Sequence, residues 1–268
     1  MRNWLAFVLI SVFLSGPAVA DTKPSLVMFA YDIVDLTHAY DDNTVYWPSA
    51  EGKFEKKQLA LGQTEGGWFY SSFAISTPEH GGTHMDAPFH FHMRGEKVDE
   101  VNLHRLGGPV FVIDVSDKAR RNPDYRLQVK DIRKFEKKHG KIEPGAIVLM
   151  RTDWSKHWPD RKKYLGDDRP GKTDDLHFPS FGEGAARELI KERKVKMIGV
   201  DTASIDYGPS TDFIVHRIAG EANVPGLENL TNLDKLPPTG AILIALPMKI
   251  GGGSGAPVRV IALTTEVP

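Results

Sequence analysis

The 268-residue sequence contains no cysteine. This absence excludes disulfide bonds, thiolate metal ligands and cysteine nucleophiles. Any metal site must therefore be built from histidine, carboxylate or amide ligands. The sequence also lacks an excess of either charge, with 34 Lys and Arg against 35 Asp and Glu. This balance gives no electrostatic reason to expect nucleic acid or an anionic membrane as a partner.

Long apolar runs are absent beyond the N-terminus. Arg2 precedes an apolar run over residues 4–14, and residues 18–20 form a small-x-small cleavage pattern. This arrangement is typical of a secretory signal peptide, and the run is short for a membrane span, which needs roughly 20 residues. The alternative is an uncleaved anchor. We expect residues 1–20 to be removed, which leaves 21–268 as a single secreted or periplasmic domain with no membrane association.

Short apolar runs of strand length recur along the rest of the sequence. We predict strands at 25–36, 68–76, 109–115, 146–150, 197–200, 241–246 and 258–263. We predict one helix at 129–139, ended by Gly140, and a second from a capping box at Ser180–Glu183 to about residue 194. Because strands outnumber helices and the helices lie between strands, the pattern predicts an α/β fold with a mixed sheet and flanking helices.

One short segment concentrates residues that can bind a metal. Within eleven residues lie His80, His84, Asp86 and His90. All four have even numbers and share one face of an extended chain, while Pro88 argues against a helix. Gly81 and Gly82 permit a tight turn that brings the first histidine back to the same ion. Imidazole nitrogen combined with carboxylate oxygen suits Zn²⁺ or Mn²⁺.

His90 lies just beyond the other three residues and has a different predicted role. A neutral histidine there can take a proton from a metal-activated water and return it to a leaving nitrogen. His92 shares the even parity and competes for this role. The alternative is that the segment contains ordinary loop histidines. Four of the ten histidines fall within residues 80–92, and this density favours metal binding.

The complete pattern His-x-Gly-Thr-His-x-Asp-x-Pro-x-His over residues 80–90 resembles the signature of the metal-dependent cyclase-like hydrolases. This family includes bacterial kynurenine formamidase and isatin hydrolase. Further matching stretches lie at 35–37, 47–48, 198–206 and 246–259, so that the resemblance covers essentially the whole mature chain. The resemblance implies a swivelling β/β/α type of fold and a homo-oligomer. It also implies that His80, His84 and Asp86 are metal ligands and that His90 is the general acid/base.

The resemblance implies a second group of ligands far along the chain. In formamidases of this type, a histidine and a glutamate twelve residues later complete a two-metal site. His216 and Glu228 have this spacing, whereas the alternative acid Glu221 does not. One-metal members, including isatin hydrolases, use fewer of these positions. The expected cofactor is therefore one or two ions of Zn²⁺ or Mn²⁺.

The expected activity is metal-dependent hydrolysis of an amide C–N bond. The resemblance implies an arylformamidase that acts on a substrate such as N-formylkynurenine from tryptophan catabolism. The alternatives are an isatin hydrolase-like enzyme for cyclic amides or lactones, and a non-enzymatic extracytoplasmic protein that binds a metal or ligand. Trp47, Trp68 and Phe69 are candidates to pack an aromatic amide substrate, with core packing as the alternative. The polar run 159–175 is either a lid or, as we favour, solvated surface.

Overall fold

The computed structural model describes residues 31–265, so the predicted signal peptide at 1–20 lies outside the described residues. The strands are β1 Asp32–Asp35, β2 Glu55–Gln63, β3 Phe69–Ser76, β4 His84–Asp86, β5 Gly107–Asp114, β6 Arg126–Leu127, β7 Ile147–Arg151, β8 Ser180–Phe181, β9 Met197–Val200, β10 Gly226–Glu228, β11 Ala241–Pro247 and β12 Gly255–Thr264. The helices are α1 Ser116–Arg121, α2 Val129–His139, α3 Arg161–Leu165, α4 Glu183–Arg187 and α5 Ile214–Glu221. In the described part of the chain, no helix is both long and apolar enough to cross a membrane.

Seven strands close into a ring in the order β12-β11-β5-β7-β9-β10-β4, because β4 pairs with both β10 and β12. β5, β7, β9 and β10 pair in parallel, whereas β4, β11 and β12 make antiparallel pairs. β1 extends the sheet along the free side of β12. The predicted α/β class with a mixed sheet is confirmed, and the closure places β4 inside a continuous hydrogen-bonded ring.

The central parallel strands are buried on both faces, which explains their continuous apolar sequences. In β7, Ile147 and Leu149 belong to a cluster that includes residues of β11 and β12, whereas Val148 and Met150 belong to a second cluster. This second cluster also contains Ile132 of α2 and residues of α4 and α5. The alternation of side chains along each strand thus separates the ring interior from the helix-covered face.

The two predicted helices are present, but the predicted N-terminal cap of the second is not observed. Helix α2 spans the predicted residues; Gln128 and Asp131 form a reciprocal capping box, and Gly140 follows with a φ of +92°. Helix α4 begins at Glu183, at the end of the predicted capping box, and continues as a π-helical stretch. The capping box predicted for it is wrong, because Ser180 lies in β8 and its Oγ donates to the carbonyl of Ser204 at 2.7 Å.

The hairpin of β2 and β3 stands apart from the ring, since these strands pair only with each other. Its large apolar side chains are exposed. They are Leu59, Leu61, Trp68 directly before β3, Phe69, Tyr70, Phe73 and Ile75. The predicted strand 68–76 is therefore confirmed in position, but among the described residues its apolar side chains do not belong to the core.

The polar run 159–175 divides into an anchored part and an exposed part. Helix α3 begins after Asp160, whose side chain caps it, and buries Tyr164 and Leu165. The hydroxyl of Tyr164 donates to Asn229 at 2.9 Å. Residues 168–175 are exposed. The expectation of a solvated surface therefore fits only the second half, because the first half is held by buried aromatic packing.

Candidate metal centre

The histidine-rich segment forms a tight turn that leads into β4. Gly81 and Gly82 have φ angles of +152° and +57°, which side chains with a Cβ rarely adopt. A Cβ on Gly81 would overlap the ring of Tyr46, and one on Gly82 would overlap the ring of Tyr40. The glycines are thus required twice, by backbone conformation and by tyrosine packing. The turn brings His80 back beside the strand, as the sequence predicted.

Asp86 lies at the centre of the site and contacts three histidines. Its Oδ1 is 2.7 Å from Nδ1 of His80 and 3.2 Å from Nε2 of His84, and its Oδ2 is 3.1 Å from Nε2 of His216. Burial by itself would raise the pKa of this carboxyl, but hydrogen bonds from the three histidines hold it well below its usual range. Asp86 therefore joins the local segment to the distant part of the site.

Glu228 reaches the site through strand pairing. It lies on β10 directly opposite His84 on β4, in an antiparallel pair. Its Oε2 is 3.4 Å from Nε2 of His84, and its Oε1 is 3.2 Å from Nε2 of His216. Burial, together with the nearby charge of Asp86, raises the pKa of Glu228. Two buried carboxylates thus share one small space, an arrangement that needs positive charge between them.

His216 lies in the first turn of α5, a helix that packs on the outer face of the sheet, opposite the ring interior. Its Nδ1 is 2.7 Å from Oδ2 of Asp206, so that Nε2 points at the shared carboxylates. Glu221, the other candidate acid, ends the same helix; it is exposed and lies 4.0 Å from Lys191. The structure therefore places Glu228, and not Glu221, beside His216.

The other two histidines are also held at their outer nitrogens. Nδ1 of His84 is 3.0 Å from the carbonyl of Gly82, and Nε2 of His80 is 2.8 Å from Oγ of Ser254. Ser254 is hydrogen-bonded in turn to Oε2 of Glu79 at 2.7 Å. Each imidazole therefore directs one nitrogen inward while a neighbour holds the other, as metal-binding histidines in proteins do.

The donor set fits a divalent cation of the expected kind. Two overlapping groups share Asp86, and within each group the ligand atoms lie within 4.8 Å of one another; the groups are His80, His84 and Asp86, and Asp86, His216 and Glu228. Burial opposes a charge on His84, yet Asp86 and Glu228 raise its pKa to about 9. The cluster thus attracts positive charge, and its imidazole and carboxylate donors match Zn²⁺ or Mn²⁺.

His90 lies beside these residues without joining the contacts among them. Its ring stacks on His80 with centroids 3.8 Å apart and meets the edge of His216 at 5.8 Å. No other described residue hydrogen-bonds to its side chain. Desolvation by the surrounding atoms lowers its pKa to about 3, which favours the neutral base. His90 lines the cavity over the donor cluster, whereas its competitor His92 does not.

This cavity has a volume of about 240 Å³ and a partly aromatic wall. Its wall includes Trp47, Phe91 and Phe213, and its floor includes His80, His84, Asp86, His216 and Glu228. Phe213 packs against Trp47 and Phe91 with ring centroids 6.0 and 5.3 Å apart. A flat apolar group next to polar donors is the ligand that such a cavity can accommodate.

Two predicted substrate-binding residues lie elsewhere. Trp68 and Phe69 are 64% and 62% exposed at the tip of the β2–β3 hairpin, and neither lines the cavity. The sequence signal was aromatic content beside the histidine segment, but the intervening strand carries these side chains away from the turn. Trp47 does line the cavity. Of the three aromatic residues predicted to bind substrate, Trp47 alone therefore lines this cavity in the described part of the chain.

Other residues of the site were not singled out from the sequence. Phe91 directly follows His90, and this adjacency was an available signal. Asn229 directly follows Glu228; its Nδ2 donates to the carbonyl of Gly82 at 2.7 Å and so supports the turn. Phe213 offered no local signal, because its place depends on a left-handed backbone with a φ of +48°.

Comparison with known proteins places these observations in a family. The Cyclase family model matches residues 34–207. The isatin hydrolase of Roseibium aggregatum is 36% identical over 264 residues, which cover 93% of this chain and 98% of that protein. A kynurenine formamidase of Salinibacter ruber is 28% identical over 236 residues, which cover 85% of this chain and 96% of that protein.

A solved structure has the same fold and a similar sequence. It is an isatin hydrolase bound to the product analogue thioisatinate, and it aligns with a TM-score of 0.80 and 32% sequence identity. The alignment covers 89% of this chain and 94% of that chain. The likeness thus covers a larger share of the chain than the family model, which matches residues 34–207.

Proposed function

The chain belongs to the Cyclase family of hydrolases, and we propose that it is a metal-dependent enzyme that hydrolyses an aromatic amide, with isatin-type cyclic amides as the first candidate substrates. The observation that carries this proposal is the cavity, in which His90 and the aromatic wall line the same space as a cluster of five side chains that could hold a metal ion. The similarity to isatin hydrolases over nearly the whole chain supports the cyclic amide as the leading candidate.

The reaction breaks the amide C–N bond and forms a C–O bond with water, giving a carboxylate and an amine. In the proposed site, His80, His84, Asp86, His216 and Glu228 would hold one or two ions of Zn²⁺ or Mn²⁺. Such an ion supplies Lewis acidity toward the carbonyl oxygen and lowers the pKa of water. Hydrolysis of a cyclic amide opens its ring and leaves the amine and carboxylate on one product.

The chain's own residues supply positioning and proton transfer. His90 is neutral and has no hydrogen-bond partner among the described residues, so it is free to take the proton of the attacking water. The same imidazole then returns the proton to the leaving nitrogen. Trp47, Phe91 and Phe213 would pack on the faces and edges of the aromatic ring and orient the amide toward His90.

A second candidate substrate is a linear arylformamide such as N-formylkynurenine. The specific observation in its favour is the complete second ligand group, since His216 and Glu228 both direct side-chain atoms at Asp86 or His84. The formamidase resemblance implies both positions. In both substrates water breaks an amide C–N bond. The acyl group stays attached to the aromatic product of the cyclic amide, whereas it leaves the arylformamide as formate.

The test is a substrate panel on the purified protein. The protein is stripped with chelator, reloaded with Zn²⁺ or Mn²⁺ alone, and incubated with isatin, N-formylkynurenine and a simple aromatic lactone while absorbance is followed. Metal-dependent turnover that is fastest on isatin supports the first candidate, and a preference for formylkynurenine supports the second. Tight metal binding without turnover of any amide or lactone would overturn the proposal in favour of a metal- or ligand-binding protein.

We also propose that the chain forms a homo-oligomer and that the β2–β3 hairpin is part of its interface. Directly paired residues of the hairpin share a face, which puts Leu61, Phe69, Phe73 and Ile75 on one side. These side chains are 39% to 62% exposed. An isolated two-stranded hairpin is at best marginally stable in water, so an apolar face of this size needs a cover.

Phe73→Glu should shift the native mass toward a smaller species, measured by light scattering on a gel-filtration column. The matched control is Ala74→Glu, which places the same charge on the opposite face, across from Lys57. An unchanged mass for Phe73→Glu would argue against this interface.

Secretion stays a separate prediction, and N-terminal sequencing of the exported protein would test whether cleavage follows Ala20.

A further inference from the structure

The buried carboxylate of Asp206 lies outside both groups of candidate ligands, yet both of its oxygens are engaged. Oδ2 is 2.7 Å from Nδ1 of His216 and accepts the backbone N–H of the same residue at 3.0 Å. Oδ1 accepts the backbone N–H of Val215 at 3.0 Å and the hydroxyl of Ser210 at 3.3 Å. Asp206 is only 1% exposed, so these contacts replace water almost completely.

From this geometry we infer that Asp206 is a positioning residue, which holds the imidazole of His216 and the start of α5 with one carboxylate so that Nε2 is presented to a divalent cation. The inference rests on the proposed metal site and is independent of the substrate. Asp206 does not touch the other candidate ligands, and its effect on them must pass through His216.

The first part of the inference concerns the proton on the imidazole. An ionised carboxylate can only accept hydrogen bonds, so Nδ1 of His216 must be the protonated nitrogen in the 2.7 Å contact. In the neutral imidazole, which is the form that binds a cation, the lone pair is then on Nε2, which lies 3.1 Å from Asp86 and 3.2 Å from Glu228. The carboxylate thereby selects the tautomer in which the inward nitrogen is a ligand atom.

The second part concerns the helix that carries this histidine. Phe213, which precedes α5, has no polar side chain to accept the free N–H groups of the first turn. Asp206 accepts two of these N–H groups instead. A negative charge at a helix N-terminus is favourable, and here the same group also fixes the side chain of His216. Movement of the helix end and rotation of the imidazole are therefore restrained together.

The restraint extends to the wall of the cavity. The N–H of Phe213 donates to Oγ of Ser210 at 3.2 Å, and Ser210 contacts Asp206. Phe213 holds a left-handed backbone, which is unusual and unfavourable for a bulky residue. The network around Asp206 thus stabilises the conformation that places an aromatic ring next to the metal-binding residues.

The test uses Asp206→Asn in the full chain and measures metal binding without turnover. An asparagine has one acceptor oxygen and one NH₂ group, so it cannot satisfy both the helix N–H groups and Nδ1 of His216. Titration calorimetry with Zn²⁺ alone should show affinity lowered by about 10- to 100-fold, the usual effect of losing an outer partner. Ser210→Ala, which touches Asp206 but not His216, should change affinity by less than about threefold.

A double-mutant cycle separates positioning from general damage to the fold. If Asp206 acts through His216, then Asp206→Asn should have almost no further effect on Zn²⁺ affinity in a His216→Ala background. An equal loss of affinity in both backgrounds would overturn the inference, and so would unchanged affinity in the single variant. If the parent protein itself binds no Zn²⁺ or Mn²⁺, it is the proposed function that fails.

A second measurement needs no variant and covers the case in which Asp206→Asn does not fold. Nitrogen NMR of the Zn²⁺-loaded parent protein, with labelled histidine, reports which ring nitrogen of His216 carries hydrogen. The inference requires a protonated Nδ1 and a metal-bound Nε2. Protonation at Nε2 would overturn it.

Discussion

His80 and His216 contact the two different oxygens of the same carboxylate, Asp86, but their surroundings differ. The His80 side chain is 24% exposed, and its outer nitrogen contacts Ser254, which is hydrogen-bonded to Glu79. The His216 side chain is 6% exposed and contacts the carboxylate of Asp206 directly. Water can replace a partner on the exposed side but has no access to the buried side.

This difference divides the site into two halves. We call the surroundings of His80 and Ser254 the adaptable half, and the surroundings of His216 and Asp206 the rigid half. A hydrogen bond to a charged, buried partner is stronger and less screened than one made through a partly exposed hydroxyl. We therefore expect changes around His216 to cost more metal affinity than equivalent changes around His80. The following predictions test that difference, beginning with the residue that both halves share.

Asp86→Asn should have the largest effect, because it removes the carboxylate that contacts three histidines. We expect metal affinity to fall by at least about 10²-fold, since losing an outer partner already costs about 10- to 100-fold. Turnover should be nearly abolished. Metal content after equilibrium dialysis and a rate assay would measure both. Asp124→Asn is the control, since it breaks an aspartate–histidine contact outside the site.

His90→Ala separates proton transfer from metal binding. Turnover should fall by a factor on the order of 10² or more, because the variant lacks the proton-transfer group. Metal content should stay unchanged, because His90 stacks on His80 but belongs to neither group of candidate metal ligands. His92→Ala is the matched control and should be close to the parent protein. The reverse result, with full activity in His90→Ala and a loss in His92→Ala, would exchange the two roles.

Ser254→Ala tests the adaptable half directly. It removes the contact to Nε2 of His80 and the link to Glu79, but water can occupy the vacated position. We expect Zn²⁺ affinity to fall less than about tenfold, which is less than for Asp206→Asn. Calorimetry on both variants under the same conditions measures the ratio. A larger loss for Ser254→Ala would refute the division into two halves.

Asp201→Asn tests a buried acid that belongs to neither group of candidate ligands. Asp201 accepts two hydrogen bonds from Thr152, and burial raises its pKa to about 7. Between about pH 4 and 7 only the unfolded state ionises, so this group lowers stability by up to about 1.4 kcal/mol for each pH unit.

The stability lost through Asp201 is complete above pH 7, and it is absent below about pH 4, where both states hold the proton. The neutral variant should therefore melt at a higher temperature than the parent protein at pH 8 and at a similar temperature at pH 4.5. Thermal unfolding of the metal-free protein at the two pH values measures this. An equal shift at both values would show that Asp201 is not the titrating group.

Local patterns predicted much of the fold. The strands β7 and β9 and helix α2 appear at the predicted positions, because their apolar spacing and end residues act within a few positions along the chain. The predicted capping box at Ser180 failed for a long-range reason, since Ser180 pairs into β8 and bonds to Ser204. Ring closure through β4 also depends on pairing between strands far apart in sequence.

In the candidate site, too, the residues placed by local sequence were predicted better than those placed by long-range packing. His80, His84 and Asp86 were predicted from spacing, and the turn at Gly81–Gly82 requires only glycine conformations and neighbouring rings. The aromatic residues were predicted less well, since Trp68 and Phe69 follow the hairpin away from the cavity. No local pattern indicates the direction of a hairpin that pairs with nothing else in the described chain.

The sequence alone determined the chemistry of this site: no thiol, a dense group of imidazole and carboxylate donors, and a turn that brings them onto one side. The family resemblance pointed to His216 and Glu228 as distant partners, but only the tertiary structure decided how these two residues meet the local segment. Glu228 meets His84 because β10 pairs with β4 in one register, and His216 faces inward because Asp206 holds its ring and its helix. The first is a contact between segments more than a hundred residues apart, and the second joins a loop to a helix. The physical reason is that strand register and loop packing, rather than spacing along the chain, set the geometry of such contacts.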